Sequence, residues 1–556
     1  MQLVFLIFFV LLLINNNLFS QDFFTIDTLG SNRATAYPMQ NKMVSSDING
    51  VRKTFIAYSK NTAIDSFETW QSMSVWVATF NHLTQVIESN TFIGYMYDNH
   101  GSPALTIDSN GFLHIVYGVH HNPVRYKKSV EPNNTTIWTP EERISAIYGE
   151  LDSNDVDLWN DYSLRVVKGE FTYPIIKVDS FDNIHIVGSL NSKTGYISKI
   201  GGEWTFPKII YTATKSLSRY DVMMNIINDE IHILAPDLEY ILNEDGLKRG
   251  DLDYHHYISN DYGETFDYYG LAWSIADGYG YGIGNISFDA DGNPHFLVIK
   301  RDWGQKQGIW YNSLIGFDWQ SHYLDIPSKN VWSAKMFHDG NDPIIVAQVN
   351  ETVEDWGDST NQIQLIRLKK DQQDYFLDKI IDLTEITTTT AVLNWLPCIE
   401  ENETFSDFSP DDVNLIWTSD LDRGEMELDS LPEPLNQNLL KTKVNLFNFS
   451  IAALFDESTD VLAQNNSLPS DLILASAYPN PFNSRLSIEY ESKIHENMTI
   501  NVYNIKGELV QTIDNKYNSP GVHSITWDAS NHSTGIYFIK LINSRSSRTL
   551  PVILLK

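Results

Sequence analysis

The sequence predicts an all-β protein: a seven-bladed β-propeller followed by a small C-terminal β-sandwich. Three observations carry this expectation. Turn signals of the Asp/Asn-Gly kind, each followed by an apolar, β-prone strand, recur along most of the chain. Helical periodicity is scarce, and an aromatic content of 12%, with 28 tyrosines and 14 tryptophans, favours strands. A polar stretch at 456–472 then separates the repeats from a shorter region with its own turns and alternating apolar residues.

The turn signals fall at Asp47–Gly50, Asp108–Gly111, Asp179–Asn183, Asn228–Asp229, Asp289–Gly292, Asp339–Asp342 and Asp411–Asp412. Four of the strands that follow carry a histidine at an equivalent place: His114, His185, His232 and His295. The units are spaced at roughly fifty to seventy residues, longer than common propeller repeats. Seven sheets of about four strands, arranged radially, leave only short edges exposed.

With 556 residues the chain is too long for one ordinary domain unless it is a repeat or a large β fold. The formal charge of −32 argues against a nucleic-acid or anionic-membrane partner. An anionic substrate therefore needs a local cluster of arginine or lysine. Residues 1–20, an apolar run through Leu13-Ile14 closed by polar residues up to Ser20, read as a secretory signal cleaved near Ser20-Gln21. Nothing later reaches membrane-spanning length, so no integral membrane segment is expected after cleavage. Cys398 is the only cysteine, which excludes an intrachain disulfide and a four-cysteine zinc site. The expected organisation is a signal at 1–20, a propeller at 21–455, a linker at 456–472 and a sandwich at 473–556. A monomer is expected.

Ser259-Asn260-Asp261-Tyr262-Gly263-Glu264-Thr265-Phe266 matches the Asp-box pattern Ser-x-Asp-x-Gly-x-Thr-aromatic. The aspartate can cap a tight hairpin while the glycine supplies φ > 0 and the aromatic packs inward. This motif is found in sialidase-type and related propellers, where it is structural. The C-terminal region carries Tyr478-Pro479-Asn480-Pro481-Phe482-Asn483, then Asn501–Gly507, Gly521–Asp528 and Ser533–Phe538. It resembles the C-terminal sorting domain of the type IX secretion system, which implies handling by that machinery, export across the outer membrane, and release or surface attachment. A carbohydrate-binding sandwich is the alternative.

The candidate site is built around Tyr97–Leu105 and Gly118–Pro123. A hairpin about Asn110-Gly111 puts His100 ten residues before the turn and His120 ten after it. Antiparallel pairing returns both imidazoles to one end of one sheet, with Asn99 beside them; two solvated loop histidines would give the same pattern. In a propeller the innermost strand of each blade begins at one face of the channel. Counting back from the repeat histidines gives His100, Tyr173 and Arg219 as equivalents, with Asn285 near the same place in the next blade.

Such a set suits β-elimination of a uronate polysaccharide. The C5 proton goes to a base of near-neutral pKa, an acid protonates the 4-linked oxygen, and the carboxylate must be neutralised. The carboxylate pair of a glycoside hydrolase is not apparent at equivalent strand starts.

At Asp98-Asn99-His100-x-Ser102-Pro103-Ala104-Leu105, Tyr117-Gly118-x-His120-His121-x-Pro123-x-Arg125-Tyr126 and Thr172-Tyr173-Pro174 the sequence resembles the BNR-repeat propellers that include the ulvan lyases. The resemblance spans about residues 25–455 and is strongest over 95–190. It implies acid–base work by His100, His120 and Tyr173 and carboxylate binding by Asn99; His121, Arg219 and Asn285 are further substrate-binding candidates. The arginine expected about sixteen residues after the tyrosine is replaced by Ser189. Either Arg219 takes its place, or the substrate differs, or the chain binds without cleaving.

The expected function is a secreted lyase for an acidic, ulvan-like polysaccharide. The alternatives are a non-catalytic surface glycan-binding propeller and a sialidase-like glycoside hydrolase. The chemistry requires no cofactor. A structural divalent cation, calcium or zinc, could bridge the acidic loop Glu351–Asp358, and His255-His256 is a weaker candidate for a metal site.

Overall fold

The computed structural model describes residues 23–556 apart from 62–72, 97–100, 146–169, 215–220, 243–247, 276–278, 302–307, 351–360, 385–392, 421–441, 456–474, 493–495, 505–508 and 543–546, and the short gaps at 32, 191–192, 240, 250, 282–283, 328, 341, 372–373, 402, 481 and 519–520. The signal reading at 1–20, the linker at 456–472 and the loop Glu351–Asp358 lie outside the described residues. The chain divides into two compact units, Met1–Thr459 and Asp460–Lys556.

The first unit is a β-propeller. Among its described residues, seven antiparallel sheets of four or more strands follow one another in chain order. Each of the seven turn signals falls between two consecutive strands that pair with each other, as in Met43–Ile48 and Val51–Asn61 or Ala104–Ile107 and Leu113–Tyr117. The seventh sheet is completed by the N-terminal strand Phe23–Asp27, which pairs with Lys443–Phe449. Closure therefore joins the two ends of the unit.

Apolar clusters bridge each sheet to the next. Val44 and Phe55 of the first sheet pack with Leu105 and Ile107 of the second. Val116 joins Phe171 and Ile186 across the second and third, and Ile175, Leu234 and Phe296 link the third, fourth and fifth. Ile299 meets Val331 and Ile345, Phe337 meets Leu415, and Ile416 and Val444 return to Ile56 of the first sheet. The apolar faces form an unbroken ring, which is how a radial fold buries both sides of every sheet.

The repeat histidines are parts of this scaffold. His114 Nε2 lies 3.1 Å from Asp108 and its Nδ1 lies 2.6 Å from the Tyr126 hydroxyl. His185 repeats the arrangement with Asp179 and Tyr196 at 3.1 and 2.6 Å, and His295 with Asp289 and Tyr311 at 3.3 and 2.7 Å. The aspartate also accepts the turn N–H groups, as Asp108 does from Asn110 and Phe112. One carboxylate thus satisfies a turn and orients a buried imidazole. His232 departs from the pattern and pairs with His256 at 3.0 Å. Neighbouring turns are hooked together: Ser109 donates to Asp182 and Ser180 to Asp229.

The Asp-box behaves as its residue types require. Thr265 N–H and Oγ1 both donate to Asp261, at 2.9 and 2.6 Å, and Gly263 adopts φ +82°. A side chain at Gly263 would strike the Tyr196 ring.

The inner strands meet around a buried polar centre. Lys177 Nζ reaches Glu401 and Glu403 at 3.2 and 3.0 Å, and Lys335 Nζ reaches Glu401 at 2.5 Å. Burial alone would lower the Lys177 amine, but the two carboxylates more than offset this and raise it. Among the described residues Lys42 has no carboxylate within ion-pair distance. Burial pushes its amine well below the usual lysine range, and it donates to Gln40 and Ser102 at 2.9 and 2.8 Å.

Among its described residues the second unit has seven strands in two antiparallel sheets, of three and four strands. Leu486, Ile488 and Trp527 of one sheet pack against Ile500, Val502, Ile539 and Leu541 of the other. This is a β-sandwich with alternating inward residues.

Candidate active site

Tyr173 is the best-defined of the expected site residues. It lies on strand Glu170–Val178, whose pairing with Ile184–Leu190 shifts register between Thr172 and Ile175. Thr172 faces Ser189 and Ile175 faces Val187, so Tyr173 and Pro174 together oppose Gly188. The bulge re-aims the tyrosine, whose backbone takes φ +52°. Gly188 is needed here, because a Cβ would sit 3.0 Å from the Thr172 carbonyl and 3.2 Å from the Phe171 ring.

His120 arrives beside Tyr173 by a route the hairpin pattern did not indicate. The second-sheet strand ends at Tyr117, and Gly118 takes φ +67°. The chain then crosses to form His120–Pro123, which joins the third sheet by pairing with Glu170–Val178. His120 opposes Thr172, the neighbour of Tyr173, and the Tyr173 N–H donates to the Val119 carbonyl at 3.3 Å. A register shift between Phe171 and Thr172 makes His121 the extra residue on its strand. Only a left-handed residue permits that crossing, which is why glycine stands at 118.

Asn99, His100 and Arg219 lie outside the described residues. The backbone next to His100 is described: the Gly118 N–H donates to the Gly101 carbonyl at 2.8 Å. A Cβ at Gly101 would meet the Gly118 backbone at 3.0 Å, so the two glycines let these segments touch.

Asn285 is committed elsewhere. Its Nδ2 donates to the Met336 carbonyl and its Oδ1 accepts from the Met336 N–H, both at 2.8 Å, and the residue is buried. The amide clamps the fifth sheet to the sixth. Ser189, where the arginine was expected, is buried in the third sheet between Thr172 and Thr194.

His256 is buried, and its imidazole is pushed down to about 3 by burial, with the nearby His232 adding to the effect. His255 takes the other face of the same strand and lies 3.2 Å from the Tyr268 hydroxyl. Among the described residues no group of three or more histidine, cysteine or acidic side chains gathers as metal ligands.

The sequence reading missed the segment between the first two strands, residues 28–42. Arg33 Nη1 donates to the Tyr37 hydroxyl at 3.0 Å, and that hydroxyl donates to the Tyr173 hydroxyl at 3.3 Å. The two tyrosine rings lie 4.3 Å apart, inclined at 56°. Gln40 fixes the segment in place: its Nε2 donates to the carbonyls of Pro174 at 2.8 Å and Ser102 at 3.2 Å. Its Oε1 accepts from the Tyr37 N–H at 3.2 Å. One glutamine thus joins the strand that follows His100, the strand of Tyr173 and the leading segment. The only local signal was a charged and an aromatic residue flanking the small Ala34-Thr35-Ala36.

Comparison with known proteins agrees with this two-part organisation. Residues 53–187 match the family described as BNR repeat-containing family member, and residues 476–554 match the secretion system C-terminal sorting domain. The tail marks the protein for export by the type IX system to the cell surface or beyond. Among the described residues no helix is long and apolar enough to cross a membrane.

No curated protein sequence matches the chain. Among solved structures it is similar to the polysaccharide lyase Uly1, at 12% identity over 78% of this chain and 99% of that one, with a TM-score of 0.46. It is also similar to the Hadza microbial sialidase Hz136, at 11% identity over 68% and 74% of the two chains, with a TM-score of 0.35. A third likeness is to an α-L-arabinofuranosidase from Podospora anserina, at 11% identity over 76% and 94%, with a TM-score of 0.30.

Proposed function

We propose that this is a secreted polysaccharide lyase that cleaves a uronate-containing glycan of the ulvan type by β-elimination. The observation that carries the reading is Tyr173, held at φ +52° in a bulge and joined through Val119 to the strand that begins at His120. Backbone strain of this kind clusters at functional sites. In the reaction the C5–H electron pair forms the C4–C5 double bond and the C4–O4 bond breaks. The C5 proton passes to one of the His/Tyr pair, and the leaving oxygen takes a proton from the other. His100 completes the acid–base set and Asn99 hydrogen-bonds the carboxylate, where charge develops in the transition state.

The test is the ultraviolet absorbance of the unsaturated uronate, followed while the protein acts on uronate polysaccharides, ulvan first. A rise that disappears in Tyr173→Phe supports the lyase. New reducing ends without that absorbance point to a hydrolase.

One observation favours a second reading, a non-catalytic glycan-binding propeller. Ser189 puts no cation where the lyase resemblance expects one. Glycan binding with no product of either kind would select it.

A further inference from the structure

We propose that Arg33, acting through Tyr37, stabilises the phenolate of Tyr173 and thereby makes Tyr173 the base of the site. The inference rests on the lyase reading for its chemistry, but the charge relay itself is tested separately.

The geometry fixes a direction. Arg33 donates to the Tyr37 oxygen, and the Tyr37 hydroxyl donates to the Tyr173 oxygen. Tyr173 therefore accepts a hydrogen bond from a phenol that is itself polarised by a guanidinium. A hydrogen bond to the charged form, backed by a positive charge at one remove, lowers a pKa. Arg33 is 8% exposed and Tyr173 7%, so water screens the relay weakly.

Among the described residues, the other titratable groups on elements around Tyr173 begin with Glu170 and Lys177 of its own strand. His120 and His121 stand on the adjoining strand, and Asp221 precedes Met223–Ile227 of the next sheet. The partner strand Ile184–Leu190 brings uncharged Ser189 to this end, with His185 at the other, bound to Asp179. Lys42 is tied to the segment through Gln40. The charge comes from a segment whose Tyr37 contact lies 136 positions from Tyr173 in sequence. In the elimination, Tyr173 would take the C5 proton as phenolate, and Arg33 and Tyr37 are positioning residues that never meet the substrate.

The experiment is a tyrosinate titration of the full chain by near-ultraviolet absorbance, with Tyr173→Phe as the blank that isolates Tyr173. Tyr37→Phe is the principal variant, because it keeps the inclined ring and removes only the hydroxyl; Arg33→Lys tests whether a positive charge alone suffices. Free tyrosine titrates near 10, and the intact relay should place Tyr173 about two units lower. Tyr37→Phe should raise it by about one unit or more, a tenfold change, and should carry the acidic limb of kcat/KM with it. Arg33→Lys should keep part of the depression. A Tyr173 titration unmoved by Tyr37→Phe, or one already at the free value, overturns the relay. Absence of unsaturated product on every uronate glycan overturns the lyase reading instead, and the titration still decides the relay.

Discussion

The phenolic oxygens of Tyr37 and Tyr173 stand 3.3 Å apart across 136 positions of sequence, with Tyr37 donating. The contact ties the leading segment to a strand in which a non-glycine residue, Tyr173, is held left-handed inside a bulge. Positioning of Tyr173 is therefore a property of at least three separate stretches: its own strand, the strand of His120 and residues 33–40.

Tyr173→Phe should reduce formation of unsaturated product by about a hundredfold or more, the scale of a lost acid–base group. Its folding cost should be about 1 kcal/mol for each hydroxyl hydrogen bond removed, the one from Tyr37 among them. Initial rates beside a thermal melt check both statements. A variant that keeps its rate would remove Tyr173 from the chemistry.

Gly188→Ala should cost about 1–3 kcal/mol by overpacking against Thr172 and Phe171. Activity should fall by more than the lost folded fraction explains, because the crowded atoms belong to the bulge that aims Tyr173. Denaturant melts and kcat on the folded protein separate the two effects.

The Asp–His–Tyr sets predict acid lability. Burial alone would raise the Asp108 carboxyl, but the bonds from His114 and the Phe112 N–H outweigh it and hold it at about 2. A depressed carboxyl contributes stability that is complete above its unfolded value, about 4, and is lost as pH falls toward the folded one. His114 acts in the same sense: burial lowers its value, with Asp108 opposing only in part, so the fold favours neutral imidazole. Asp108→Asn should lower stability at neutral pH by about 1–3 kcal/mol and flatten the fall below pH about 4. Melts across pH read this directly.

Lys177→Met should be among the most damaging single changes. It leaves Glu403 without a cation within ion-pair distance among the described residues and Glu401 with Lys335 only. Breaking a buried pair from one side costs about 3–5 kcal/mol. Restoring stability by adding Glu403→Gln would confirm that the cost is stranded charge rather than lost packing.

Much of the fold was legible because its units are local. Asp108, Gly111 and His114 sit within a few residues of one another, and one hairpin satisfies all three. The same economy made the Asp-box and the tail's strands readable. Three of the four histidines that marked the repeat, His114, His185 and His295, proved to be oriented by their own aspartates and tyrosines, a pairing that sequence spacing alone does not reveal because the tyrosine arrives from the next strand.

The site was legible in part. Counting back from a repeat histidine led to Tyr173, which the structure holds in a bulge beside the strand of His120. Asn285 came from the same count, yet its amide is taken by Met336 from the next sheet. Counting gives the level of a residue in the fold; it does not say which neighbour will bond it.

By itself, then, the sequence determined the strands, their turns, the radial repeat and the sorting tail, since each depends on residues a few positions apart. Tertiary structure alone decided that His120 would leave its hairpin for the third sheet, and that Arg33 would reach Tyr173 through Tyr37. The physical reason is ring closure. Pairing Phe23–Asp27 with Lys443–Phe449 fixes the start of the segment that carries Arg33, and no local pattern encodes a contact that exists only once the ring has closed.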